Sequence, residues 1–155
     1  MNALTLNPEY ARRHLGVCVL MLGLGGWFGY DGLVTYPKTP AAQLYESIEK
    51  APPPEGFDVE AFKVQKTQTQ YGLMGFCLLV GAVVGLRLLA SSKFRFEWDE
   101  SGFVWKGVKH PLSDVKKVVR DQWEKKGILV LHLDREKVVL DAWHHLGVKD
   151  FEKMI

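Results

Sequence analysis

Few residues in this chain have the types and spacing that chemistry requires. Trp143-His144-His145 is the most unusual tripeptide. Two adjacent imidazoles on a strand alternate faces, and with no third donor nearby in the sequence they do not compose a metal site. His110 and His132 become ligands only if folding collects them. Cys18 and Cys77 are the only cysteines, and neither stands in a metal-type spacing with histidine. No Ser-His-Asp order, phosphate-cradling glycine loop or paired-carboxylate spacing falls where a cleft would form. No catalytic, cofactor-binding or metal-ligating residue is therefore assigned, and the chain is expected not to be an enzyme. What remains is charge. Lys116, Lys117, Arg120, Lys125 and Lys126 gather in one short segment, and together with Trp143 they are the candidate contacts to anionic lipid or to a partner, at ~1 kcal/mol per cation near a membrane surface. Asp114, Asp121 and Glu124 are interleaved with them, so a solvated mixed-charge face is the competing reading. Nucleic acid is not an expected partner, because the residues from Lys93 onward hold eleven acids against thirteen bases and no groove-reading motif.

The elements that must position these residues are unevenly distributed. A chain that is 47% hydrophobic and 25% charged, with mean hydropathy −0.06, looks soluble on average. The average hides a segregated sequence. Leu15 to Tyr30 and Tyr71 to Ala90 carry a single charge between them, Arg87, and each approaches the ~20 residues that a helix needs to cross a bilayer. A membrane protein is expected. No A-x-A site follows the first stretch at the usual distance, and Gly16 stands where a twin-arginine signal carries a bulky apolar residue, so this stretch is read as a retained anchor.

Charge also orients the hairpin. Arg12, Arg13 and His14 precede the first stretch, and Arg87, Lys93 and Arg95 lie at the end of the second. The connecting segment, Pro37 to Gln70, has four lysines and five acids. The Lys/Arg bias then places both termini in the cytoplasm of an inner (plasma) membrane and the loop outside. Tyr30, Tyr36 and Tyr71 fall where interfacial anchors belong. Asp31 is read as lying at the outer headgroup level, since no second acid or histidine matches its depth in the other helix. The alternative is a minimal transporter or proton channel that uses Asp31 and Arg87.

Gly25-x-x-x-Gly29, continued by Gly32, and Gly81-x-x-x-Gly85 have the small-xxx-small spacing that lets helix backbones approach in lipid. They are candidate helix-packing residues. Whether they join the two helices of one chain, two copies, or the helix of another membrane subunit is not encoded. Cys18 and Cys77 differ by roughly 13 Å in depth along a hairpin, too far to bridge. In the loop, Thr39-Pro40 is expected to cap a short helix that Pro52-Pro53-Pro54 stops. Asp58 is expected to cap a second helix running toward the membrane span.

From Lys93 the period changes to two. Phe94, Phe96 and Trp98 alternate with Arg95, Glu97 and Asp99, a turn follows at Asp99-Glu100-Ser101-Gly102, and Phe103 and Trp105 resume. A third strand is expected over Val115 to Arg120, with segment 112–123 open to a helical reading as well. Ile128 to Leu133 and Lys137 to Asp141 form another hairpin. Val148, Phe151 and Ile155 lie at helical spacing, so the chain ends in an amphipathic helix. Trp98, Trp105, Trp123 and Trp143 are expected to keep an apolar face for a partner, because so small a domain is marginal alone.

This F-x-F-x-W, turn-Gly, F-x-W opening, with a Pro111-Leu112-Ser113-Asp114-Val115 element before the third strand, resembles the bacterial pleckstrin-homology-like domains. Those are often tethered to the membrane by a preceding helical hairpin. The resemblance covers about Lys93 to Ile155, is one strand short of a full domain of that kind, and implies a bent sheet closed by the C-terminal helix with a recognition or scaffolding role. The acidic first turn departs from the basic pattern by which eukaryotic relatives bind phosphoinositides. The expected fold is thus an α+β membrane protein with a two-helix transmembrane hairpin and a small antiparallel β domain of about five strands. Residues 1–36 hold the N-terminus and first span, 37–70 the outer helical loop, 71–90 the second span and 91–155 the cytoplasmic β domain. Two functions are expected to compete: a module that binds a protein or scaffolds a membrane complex, and an accessory subunit of a larger membrane assembly.

Overall fold

A computed structural model describes all 155 residues, Met1–Ile155. The chain forms two compact units, one made of Met1–His14 with Leu86–Ile155 and the other of Leu15–Gly85.

Two helices, Pro8–Lys38 and Val59–Lys93, are long and apolar enough to cross a membrane. The first runs past the apolar stretch because Asp31–Thr35 forms a π-helical turn, in which the Tyr36 N–H bonds to the Asp31 carbonyl. The second begins at Asp58, whose Oδ1 accepts the Ala61 N–H at 2.9 Å. It continues unbroken from the loop through the apolar stretch, as its cap and periodicity predicted.

Within Leu15–Gly85 the two helices pack antiparallel. Cys18 faces Gly85, Met21 faces Gly81, Gly25 faces Cys77 and Leu78, Gly29 faces Met74, and Gly32 faces Gln70 and Tyr71. Along the first helix the contacts recur at intervals of three and four, the 3.5-residue period of a coiled seam. The loop helix spans Ala41–Glu49. Thr39 does not cap it: its hydroxyl donates instead to the Thr35 carbonyl at 2.8 Å, and Pro40 stands at the cap position without a side-chain bond. The Lys63 ammonium donates to the Pro37 and Thr39 carbonyls at 3.1 and 2.8 Å, satisfying the end of the first helix. Tyr45, Phe57 and Phe62 pack as one aromatic cluster beside it.

The other unit is built from antiparallel sheets. Strands β1 (Asn2–Ala3), β3 (Phe96–Asp99), β4 (Gly102–Trp105) and β5 (Val108–Pro111) form one sheet in the order β1-β3-β4-β5. Strands β6 (Lys117–Val119), β7 (Ile128–His132) and β8 (Lys137–Asp141) form a second, and β2 (Thr5–Leu6) pairs with β9 (His145–Leu146). The five expected strands are present, and four more join them. Of these, β1 and β2 come from the extreme N-terminus, where no strand was expected. The segment 112–123 resolves its ambiguity by division: a 3₁₀ turn at Leu112–Asp114, a three-residue strand β6, and then a short helix from Trp123 to Lys126. The first expected strand also starts late, because the long helix holds on to Lys93.

Alternation places Phe96, Trp98 and Phe103 from one sheet and Leu129, Leu131, Val138 and Leu140 from the other in a common core. The C-terminal helix, Val148–Met154, adds Val148 and Phe151, whose ring meets Phe96 edge-on at 4.9 Å. Two glycines are obligatory. A Cβ on Gly102 would lie 2.1 Å from the His110 carbonyl oxygen, and Gly147, at φ 94°, turns into the last helix against Trp98.

Candidate functional site

The five basic residues of the β6 region are not a free cationic surface. Lys116 lies 3.5 Å from Asp134, and the Arg120 guanidinium donates to Glu152 at 2.9 Å. Lys117, Lys125 and Lys126 remain exposed and unpaired. These are exposed pairs of modest strength, and they leave three of the five cations unpaired. The expected aromatic face is also largely absent. Trp98 is 3% exposed in the core, and Trp105 and Trp123 pack half-buried against it, so of the four tryptophans only Trp143 stays exposed, at 41%.

The predicted glycines are brought together, all five lining the intramolecular seam described above. Cys18 donates its thiol toward the Gly81 carbonyl at 3.7 Å, and both cysteines are free. The close approach is local: Gly29 and Gly32 leave less than a methyl's breadth, with Met74 Sδ and Tyr71 Cε1 each 3.0 Å from where a Cβ would stand.

A cluster that sequence reading missed surrounds Tyr10, where the first helix begins and the second ends. Asn7 ties three chain segments. Its backbone N–H donates to the His144 carbonyl at 2.8 Å, its Nδ2 donates to the Trp143 carbonyl at 2.9 Å, and its Oδ1 accepts the Glu9 N–H at 3.0 Å as a helix cap. The next turn carries Tyr10, buried with its hydroxyl 3.4 Å from Ser91 Oγ. Its ring lies 4.0 Å from His14 and 4.3 Å from His144, and meets Trp143 edge-on at 6.5 Å. His14 donates from Nδ1 to the Tyr10 carbonyl at 2.9 Å. His145 is buried and donates from Nε2 to the Ser91 carbonyl at 3.0 Å. The two histidines of the tripeptide thus diverge, His144 lying in the turn and His145 opening the strand β9, and both serve the same junction. His110 lies elsewhere, stacked on Phe103 with Asp114 3.3 Å away.

Electrostatics follow from this packing. Burial holds the His144 imidazole below its ordinary value of 6.5, and the nearby His145, His14 and Arg87 add to the effect while Asp141 opposes it. Asp99 is lowered by hydrogen bonds from the Ser101 hydroxyl and N–H, and Glu136 by its bond from Lys106. The turn that carries Trp143 is itself fixed by Asp141, whose Oδ1 accepts the N–H groups of Trp143 at 2.8 Å and His144 at 3.4 Å. Nothing in the cluster pairs a nucleophile with a base, and its polar groups are engaged in holding strands and helix ends. Comparison with family models, with curated proteins and with solved structures finds no match for this chain.

Proposed function

We propose that this chain is a non-enzymatic two-pass inner-membrane protein, N- and C-termini cytoplasmic, whose β unit resembles the bacterial pleckstrin-homology-like domains and binds another protein or scaffolds a membrane complex. The observation that carries the reading is the make-up of the β unit. Residues on both sides of Leu15–Gly85 belong to it, and β1 and β2 pair with β3 and β9. Two spans that leave from and return to one folded unit support a topology with both termini on one side. The lysine and arginine bias then selects the cytoplasmic side. The helices are also unlike the core of a soluble protein, with only 17% and 11% of their most apolar windows buried and with Trp27 and Leu86 exposed at 69% and 66%. In water such surface would drive aggregation; in lipid it is solvated. The strand pattern and the closing C-terminal helix support the family resemblance.

The test is an inventory of proteins that co-purify with the full chain in mild detergent, together with labelling of single cysteines in intact cells and in inverted vesicles. A dimer or monomer whose β unit retains a cytosolic protein supports the proposal. Loop cysteines labelled only from the cytoplasmic side would sink it. A second reading, an accessory subunit of a larger membrane assembly, is favoured by Gly16, Gly23, Gly26, Gly72 and Gly75, which have nothing within 4 Å of where a Cβ would stand. Those positions leave room for another helix to approach closely. Recovery in a stoichiometric multisubunit particle, held after removal of the β unit's surface contacts, selects that reading.

A further inference from the structure

The junction around Tyr10 has a chemistry that its structural duties do not use up. Five basic residues, Arg12, Arg13, Arg87, Lys93 and Arg95, lie within residues 8–14 and 86–95, against two acids, Glu9 and Asp141, across these segments and the Trp143 turn. Both acids are committed. Glu9 pairs with Arg13 one helical turn away at the exposed surface, where such pairs bind weakly, and Asp141 holds the Trp143 turn, with its Oδ2 3.8 Å from His144 Nε2. The Arg13 guanidinium lies over the exposed Trp143 ring, 5.4 Å from its centroid, and Tyr10 meets the same ring edge-on at 6.5 Å. Arg87 stands one turn before Ser91 and therefore on the same helix face, which the Ser91 hydroxyl turns toward Tyr10. The exposed Arg12, Lys93 and Arg95 extend this positive field.

We propose that Arg13, Arg87 and Trp143 form a binding site for the phosphate of an anionic phospholipid headgroup, where the two long helices join the β unit. The inference rests on the membrane-spanning reading and moves the lipid contact away from the β6 lysines. Charge complementarity selects the occupant. A net excess of three positive charges at the ends of two apolar helices, with an amphipathic indole beside them, matches the headgroup level of an anionic leaflet. Arginine offers the phosphate paired donors, and the Trp143 stack keeps one guanidinium pre-oriented at little entropic cost.

The experiment uses the full chain reconstituted in phosphatidylcholine vesicles containing phosphatidylglycerol, re-extracted in mild detergent, with the retained lipids identified by native mass spectrometry. The wild type should retain phosphatidylglycerol over phosphatidylcholine. Arg13→Gln/Arg87→Gln should lower that preference roughly thirty-fold, from two lost surface cations. Trp143→Ala, which leaves every charge and hence the insertion signal intact, should lower it several-fold; Lys117→Gln/Lys125→Gln/Lys126→Gln should not change it. Unchanged retention in Trp143→Ala, or an equal loss in the lysine variant, overturns the site. Release of the wild-type protein from vesicles by alkaline carbonate would instead overturn the membrane reading, and the site with it.

Discussion

Asn7 uses its backbone and both ends of its side chain at once, so its replacement is costly out of proportion to its size. Asn7→Ala removes a helix cap and leaves the Trp143 carbonyl without its donor, for an expected loss of about 1–3 kcal/mol. Asn7→Asp keeps the cap and loses only the donor, so its thermal midpoint in detergent should fall between those of the wild type and Asn7→Ala. At Gly102 there is no room at all: Gly102→Ala meets the His110 carbonyl and should cost about 2–4 kcal/mol. Titration adds a direction. Because burial lowers His144, the unfolded chain binds more protons than the folded one once the pH drops to about 6.5. Stability of the β unit should therefore fall as pH is lowered through that value, and Asp99 and Glu136, both lowered, add losses in the same direction at more acid pH. Thermal unfolding across this range, in wild type and His144→Gln, checks the first effect: the variant should lose the dependence near 6.5 and keep the acid limb.

Strand by strand, the sequence was legible where period two ran long enough to be counted. β3, β7 and β8 show it, with buried Phe96, Trp98, Leu129, Leu131, Val138 and Leu140 at alternate positions. β1, β2 and β9 have two residues each, too few to express any period, and β5 ends in a proline that argues against a strand except at a sheet edge, where it lies. The Tyr10 cluster was hidden for a different reason: Asn7 and Trp143 are 136 residues apart, and no local pattern reports such a contact. The glycine seam was legible in its spacing but not in its partner. It makes a sharp prediction about the helical pair, because Met21 Cβ lies 3.4 Å from the position of a Cβ on Gly81. Met21→Cys/Gly81→Cys should close an intramolecular disulfide, read as a mobility shift that reductant reverses. Cys18 and Cys77 should form none within one chain, and a dimer linked by the engineered pair would show that the seam belongs to two chains.

For the molecule as a whole, the β unit is not the C-terminal tail that its strand pattern suggested. Its sheet needs the first six residues, since Leu4 is in the core and β1 and β2 occupy sheet positions. Deletion of residues 1–6 should lower the melting temperature of the β unit; an unchanged melt would show the N-terminal pairing to be dispensable. The same pairing sets an order on biogenesis. Asn2 to Leu6 are synthesised before both long helices, whereas their partners, Phe96–Asp99 and His145–Leu146, follow them. The N-terminal strands must wait, unpaired, while both long helices are made, and on the membrane-spanning reading proposed above a chain that left its two ends on opposite sides of the bilayer would never complete the sheet. On that reading the finished fold doubles as a proofreading step, since only a correctly threaded polypeptide completes the sheet.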